Sequence, residues 1–196
     1  MAITKLASSG VVNTKSDSLL VGNANRAPAF DSINTITVGS SSMTTIDFQN
    51  IPNVYQHLQI RGISKTASTG DNLRVRFNND SSSSYSSHIY YGNGTTSAAT
   101  DSGGVITIGW CGNSTYSGTQ ANTFSGFIID VLDYKETTKY KTLRFFSGYD
   151  LNGSGEVRLG SSLWKSTNSI NQITFYNGSG TGDFQQYTHF ALYGIR

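Results

Sequence analysis

Three histidines, one cysteine and twelve carboxylates are the side chains of this chain best suited to chemistry. His57, His88 and His189 stand far apart, and no HxH or HExxH spacing joins them into a metal-binding pattern. Each lies among apolar or aromatic residues, where a histidine is ordinarily structural or on the surface. Cys111 is alone, so there is no intrachain disulfide framework, and an isolated thiol fits a reducing cytoplasm. Glycoside hydrolysis needs two carboxylates flanking the scissile bond. The candidates are Asp130, Asp133, Glu136, Asp150 and Glu156. Asp130 and Asp133 are three apart in an expected strand and so face opposite sides. No GxSxG elbow is present, although a Ser/His/Asp triad can assemble from distant positions.

The run Asp150-Leu151-Asn152-Gly153-Ser154-Gly155-Glu156 starts like an EF-hand loop. Its twelfth position is Ser161 rather than glutamate and no helix is expected beside it, so it reads as a tight hairpin. A single calcium ion in a lectin-like loop is the alternative there. Glycines are many, but no GxxxxGK[ST] and no strand–GxGxxG–helix occurs, which leaves nucleotide binding without support. The expectation is a non-enzymatic chain with no catalytic residue, no metal and no cofactor.

Aromatic rings are the other candidates. Tyr85, Tyr90 and Tyr91 flank a serine run, and Trp110 follows. A ring face can stack on the apolar face of a sugar, so these four are candidate glycan contacts. Cross-strand aromatic pairing within a sheet is the competing reading, and for most of them the stronger one.

The elements that must position these residues are strands. Serine, threonine, asparagine and glycine make up 87 of the 196 residues, only 13% are charged, and glutamate occurs twice. Helices favour Glu, Lys, Ala and Leu, so the composition argues against them, and 12% aromatics argue for order. Alternation is clean in Leu73-Arg74-Val75-Arg76-Phe77, with Leu73, Val75 and Phe77 on one face. Similar runs fall at 33–38, 43–49, 55–64, 85–91, 104–110, 123–134, 140–149, 156–164, 169–177 and 187–195. Asn93-Gly94, Gly103-Gly104, Asn113-Ser114, Asn152-Gly153 and Asn177-Gly178 punctuate them and supply turn conformations. Phe124 to Leu132 is apolar on both phases and is expected to be a central strand. Ten or so closely spaced strands predict an all-β fold, an antiparallel β-sandwich or jelly roll over residues 33–196.

Residues 1–32 differ. They are polar, with scattered apolar positions at Ile3, Leu6, Val11, Val12, Leu19, Leu20, Val21 and Phe30, and sustain neither a helical nor a strand period. They read as an extended N-terminal arm, with those apolar residues as its docking contacts.

Charge and hydropathy exclude further classes. The net charge is +2, and the densest basic group is Lys135, Lys139, Lys141 and Arg144, too sparse for a phosphate-binding patch. The apolar run Phe127-Ile128-Ile129 is far too short to span a bilayer, and the first twenty residues hold no apolar stretch of secretory-signal length. The chain is expected to bind neither nucleic acid nor membrane.

Three stretches carry a family resemblance. Tyr187-Thr188-His189-Phe190-Ala191-Leu192-Tyr193-Gly194-Ile195-Arg196 resembles the terminal F-A-L-Y-G-I-K/R strand of a group of tailed-bacteriophage virion proteins. Ile46-Asp47-Phe48-Gln49-Asn50-Ile51-Pro52 through Tyr55 and Leu58 is similar to the I-x-F-x-x-I-P-x-x-Y-x-x-L segment of the same group. Asp71 to Asp80, followed by the Ser/Tyr stretch and Tyr91-Gly92-Asn93-Gly94, agrees. These are packing and turn motifs, and they carry over no catalytic residue. The resemblance implies a virion structural protein, assembled in the host cytoplasm beside capsid or tail subunits. It implies homo-oligomerisation, with a trimer as the expected form. The short chain without a fibre repeat points to a capsid decoration (cement) protein docked by its arm. A tail, baseplate or fibre-tip module is one alternative, and a carbohydrate-binding lectin-like domain is another.

Overall fold

The structure, a computed structural model, describes residues 19–21, 24–26, 29–67, 72–116, 118–178 and 183–196. Ile3, Leu6, Val11 and Val12 of the expected arm lie outside them. Fifteen strands run along the described chain: β1 (Leu19–Val21), β2 (Ala24–Arg26), β3 (Phe30–Thr37), β4 (Thr45–Phe48), β5 (His57–Thr66), β6 (Asn72–Phe77), β7 (Tyr85–Gly92), β8 (Ser97–Asp101), β9 (Gly109–Asn113), β10 (Thr115–Tyr116), β11 (Ser125–Leu132), β12 (Lys141–Asp150), β13 (Gly155–Trp164), β14 (Ile173–Asn177) and β15 (His189–Ile195). The fold is all-β, with no helix among the described residues.

Two antiparallel sheets hold most of the chain. The large one runs β3-β15-β5-β11-β12-β13-β7-β8, with β10 as a short parallel addition to β5. The small one runs β4-β14-β6-β9. Leu19, Leu20 and Val21 of the expected arm form β1, which pairs with β2 as a separate two-stranded piece. Phe30 to Ser32, also read as arm, already belong to β3, so the large sheet begins upstream of residue 33.

Alternation puts one face of each sheet into a shared core. Leu73, Val75 and Phe77 of β6, Ile46 and Phe48 of β4, and Ile173 and Phe175 of β14 are buried from one side. Leu58 and Ile60 of β5, Phe127, Ile129 and Val131 of β11, and Phe190 and Leu192 of β15 meet them from the other. Phe190 joins the two sheets, its ring centroid 4.6 Å from that of Phe127 and 4.9 Å from that of Phe175. Gly62 lies between Phe127 and Phe190 in the register, and a Cβ there would sit 2.7 Å from the Phe127 ring. Its bare backbone lets the two rings close over it. A second aromatic group sits at the other end, where Trp164 packs 5.6 Å from Phe77 and stacks on Tyr85.

Two local expectations change. The run 104–110 is a strand only from Gly109, because Gly103 and Gly104 take positive φ and leave Ile106 a lone bridge to Tyr85. Ser97–Asp101, too small and polar to show a period, pairs as the edge strand β8. The hairpin expected at 150–156 is present. Asp150 pairs with Gly155 across it, Asn152 and Gly153 take φ of 59° and 118°, and the Asp150 carboxylate accepts the Asn152 N–H at 2.7 Å.

Candidate functional site

On the large sheet, the phase that faces away from the small sheet is built from residues two apart on neighbouring strands. The ladders align Arg61 of β5 with Ile128 of β11, then Phe146 of β12, Leu159 of β13, Tyr90 of β7 and Ala99 of β8. Four consecutive members of that row are large, apolar and open to solvent: Ile128 is 40% exposed, Phe146 53%, Leu159 48% and Tyr90 57%. Val157 stands beside them at 49%. Single exposed apolar side chains are ordinary, but a contiguous row of this kind is what interaction surfaces commonly present.

A polar row runs alongside: Gln59, Asp130, Arg144, Ser161, His88 and Asp101. Asp130 accepts hydrogen bonds from Gln59 at 2.6 Å and from Arg144 Nε at 2.9 Å. Arg61 donates to Gln59 Oε1 at 2.5 Å while its guanidinium lies over the Phe30 ring at 5.6 Å. Asp101 accepts the Gly103 N–H at 2.6 Å and stays exposed at the sheet edge. Between the two rows an open depression of about 690 Å³ is walled by Tyr90, Phe146, Leu159, His88, Asp101 and Arg144.

The candidate glycan contacts do not come together. Tyr85 is fully buried, and its hydroxyl accepts the Phe77 N–H at 2.9 Å, so it cannot reach a ligand. Burial also pushes its phenol pKa up. Tyr91 is half-buried against the core, and Trp110 lies half-buried under the Arg74 guanidinium at 4.6 Å. Tyr90 alone reaches the outer row. Phe30, expected on the arm, is 46% exposed at the start of β3.

The titratable residues are dispersed. His57 Nδ1 accepts the Asp133 N–H at 2.9 Å, His88 is exposed on β7, and His189 is half-buried on β15. Asp133 lies beyond the end of β11 in a turn with φ of 48°, so the strand argument that set it opposite Asp130 does not apply. Hydrogen bonds from Lys139 and Gln56 hold its carboxyl below the usual range. Glu156 pairs with Arg158, itself bonded to Asn72. Among the described residues no group of three or more His, Cys, Asp or Glu side chains is arranged to hold a metal ion. No helix among them is long and apolar enough to cross a membrane.

Ile128, Phe146 and Leu159 were not among the candidate residues, although the two-phase apolar pattern of β11 signals Ile128. A strand apolar on both phases buries one phase in the core and leaves the other, here Ile128, facing solvent. Compared with known proteins, the chain matches no family model, and no curated protein or solved structure matches it.

Proposed function

We propose that this chain is a non-enzymatic structural protein of a phage virion, folded as a β-sandwich of jelly-roll type. Within the virion we assign it to capsid decoration, attached through the segment that precedes β3. The observation that carries the reading is the outer row Ile128, Phe146, Leu159 and Tyr90: four exposed apolar side chains on rigid strands suit an assembly surface, not a cleft for chemistry. The three stretches that resemble virion proteins support a place in the virion. A tail or fibre-tip position is the alternative within the same class.

Immunogold labelling of intact particles tests it. Label distributed over the head is the expected result. Label confined to the tail tip moves the protein to the tail, and particles without label overturn the virion reading. A second reading, a carbohydrate-binding module, draws on the depression beside Tyr90 and Phe146, where His88, Asp101 and Arg144 offer hydrogen bonds. Loss of sugar binding in Tyr90→Ala would favour it, and a glycan panel with no binding would dismiss it.

A further inference from the structure

We propose that the outer face of the large sheet pairs with the same face of a second copy of the chain. The two-fold axis runs parallel to the strands and passes between β12 and β13. This goes beyond the virion reading and stands on the face alone.

The register supports it first. The apolar row has its middle between Phe146 on β12 and Leu159 on β13. A half-turn about an axis there sets Phe146 of one copy against Leu159 of the other, and Ile128 against Tyr90. Each Ile128 then seats in the partner's depression beside Tyr90. Apolar meets apolar along the whole row, which is the self-complementarity an isologous contact requires.

Charge supports it second. The same rotation brings β5 over the partner's β8, so exposed Arg61 faces Ala99, with exposed Asp101 two residues along β8, toward which the long Arg61 side chain can extend. One opposite-charge pair, Arg61 with the partner's Asp101, thus forms at each end of the row by symmetry. Another protein seated on this face would need the same alternation of charge in the same order. A second copy has it by construction.

Shape supports it third. A uniformly twisted sheet is a saddle, whose height goes as the product of the distances along and across the strands. A half-turn about an axis along the strands reverses both the across-strand distance and the height. The surface therefore maps onto itself, and two copies nest, as in aligned sheet packing. The five strand spacings from β5 to β8, at about 4.8 Å each, with the flanking rows give about 500 Å² a side. That is less than the roughly 800 Å² of a standard interface, so the pair should be reversible in solution.

Sedimentation or light scattering of the full chain over a concentration series tests this. The wild type should shift reversibly from monomer to dimer. Phe146→Asp should abolish the dimer while circular dichroism stays unchanged, because the site is solvent-facing. Arg61→Asp and Asp101→Arg should each weaken dimerisation about tenfold or more, and the double variant should recover most of the loss. A wild type that stays monomeric overturns the pairing, as does a trimer. So do a dimer indifferent to Phe146→Asp, charge variants that fail to compensate, and a monomer that uses this face for a sugar.

Discussion

Asp80 gathers its loop by hydrogen bonds. Its carboxylate accepts the Ser82 N–H at 2.9 Å, the Ser82 hydroxyl at 2.5 Å, the Ser84 hydroxyl at 2.7 Å and the Trp164 indole N–H at 2.6 Å. Burial pushes its pKa up, but the bonds from Ser82, Trp164 and Ser84 together outweigh that and hold the carboxyl far below its usual range. A depressed carboxylate stabilises the fold above its unfolded pKa, near 3.8, and the contribution is lost as pH falls through the folded value. The melting temperature should therefore drop below about pH 4, and Asp80→Asn should flatten that drop while lowering stability at neutral pH. Thermal melts from pH 7 to 3 check both. Trp164→Phe removes one charge-assisted donor and should cost about 1–2 kcal/mol in a denaturant titration. Gly62→Ala drives a methyl group into the Phe127 ring and the His189 carbonyl and should cost about 1–3 kcal/mol by the same titration. Cys111 is fully buried, and burial pushes its thiol pKa up. It should react with a thiol reagent only on unfolding, which gives a spectroscopic readout of the sheets parting. None of these roles was legible in the sequence. The Ser81–Ser84 loop is visible as a run of serines, but the indole that ties it down lies 84 residues away.

At the scale of elements the sequence was more legible. Strands expected at 85–91, 140–149 and 156–164 lie at 85–92, 141–150 and 155–164, because alternation marks them and the turns at Asn93-Gly94 and Asn152-Gly153 bound one end of each. β8 escaped because Ser-Ala-Ala-Thr-Asp has no apolar phase to count, and its strand state comes from pairing with β7. The outer apolar row escaped for a related reason. Alternation tells two faces apart only when they differ, and in Phe127-Ile128-Ile129 they do not. Such a strand reads as buried on both sides until a second sheet is seen to cover just one. β15 is the element on which the large sheet turns, lying between β3 and β5 and pairing with both. Removing residues 189–196 should abolish folding, read as loss of soluble protein. Removing residues 1–28 spares Ala29, whose carbonyl accepts the Arg196 N–H at 3.3 Å, and should leave the melting temperature within about 2 °C.

At the scale of the whole molecule, the proposed decoration role makes a sharper demand on that second truncation. The chain lacking residues 1–28 should fold yet fail to co-sediment with particles, whereas Phe146→Asp should fold and bind with altered occupancy. If the truncated chain still binds, the attachment segment is not the polar, aperiodic stretch that precedes β3. The placement of β15 has a consequence in time. During synthesis β3 is made well before its partner β15, which emerges from the ribosome after β4 to β14 and more than 150 residues later. Until then β3 has no partner in the sheet, and β5 lacks the neighbour that shields it. Sheet closure is thus tied to completion of the β15 segment, and contacts this distant in sequence make for slow folding. An interrupted chain leaves two open edges exposed and is a ready target for aggregation or proteolysis. In the virion role proposed above, assembly would thereby draw only on chains translated through β15.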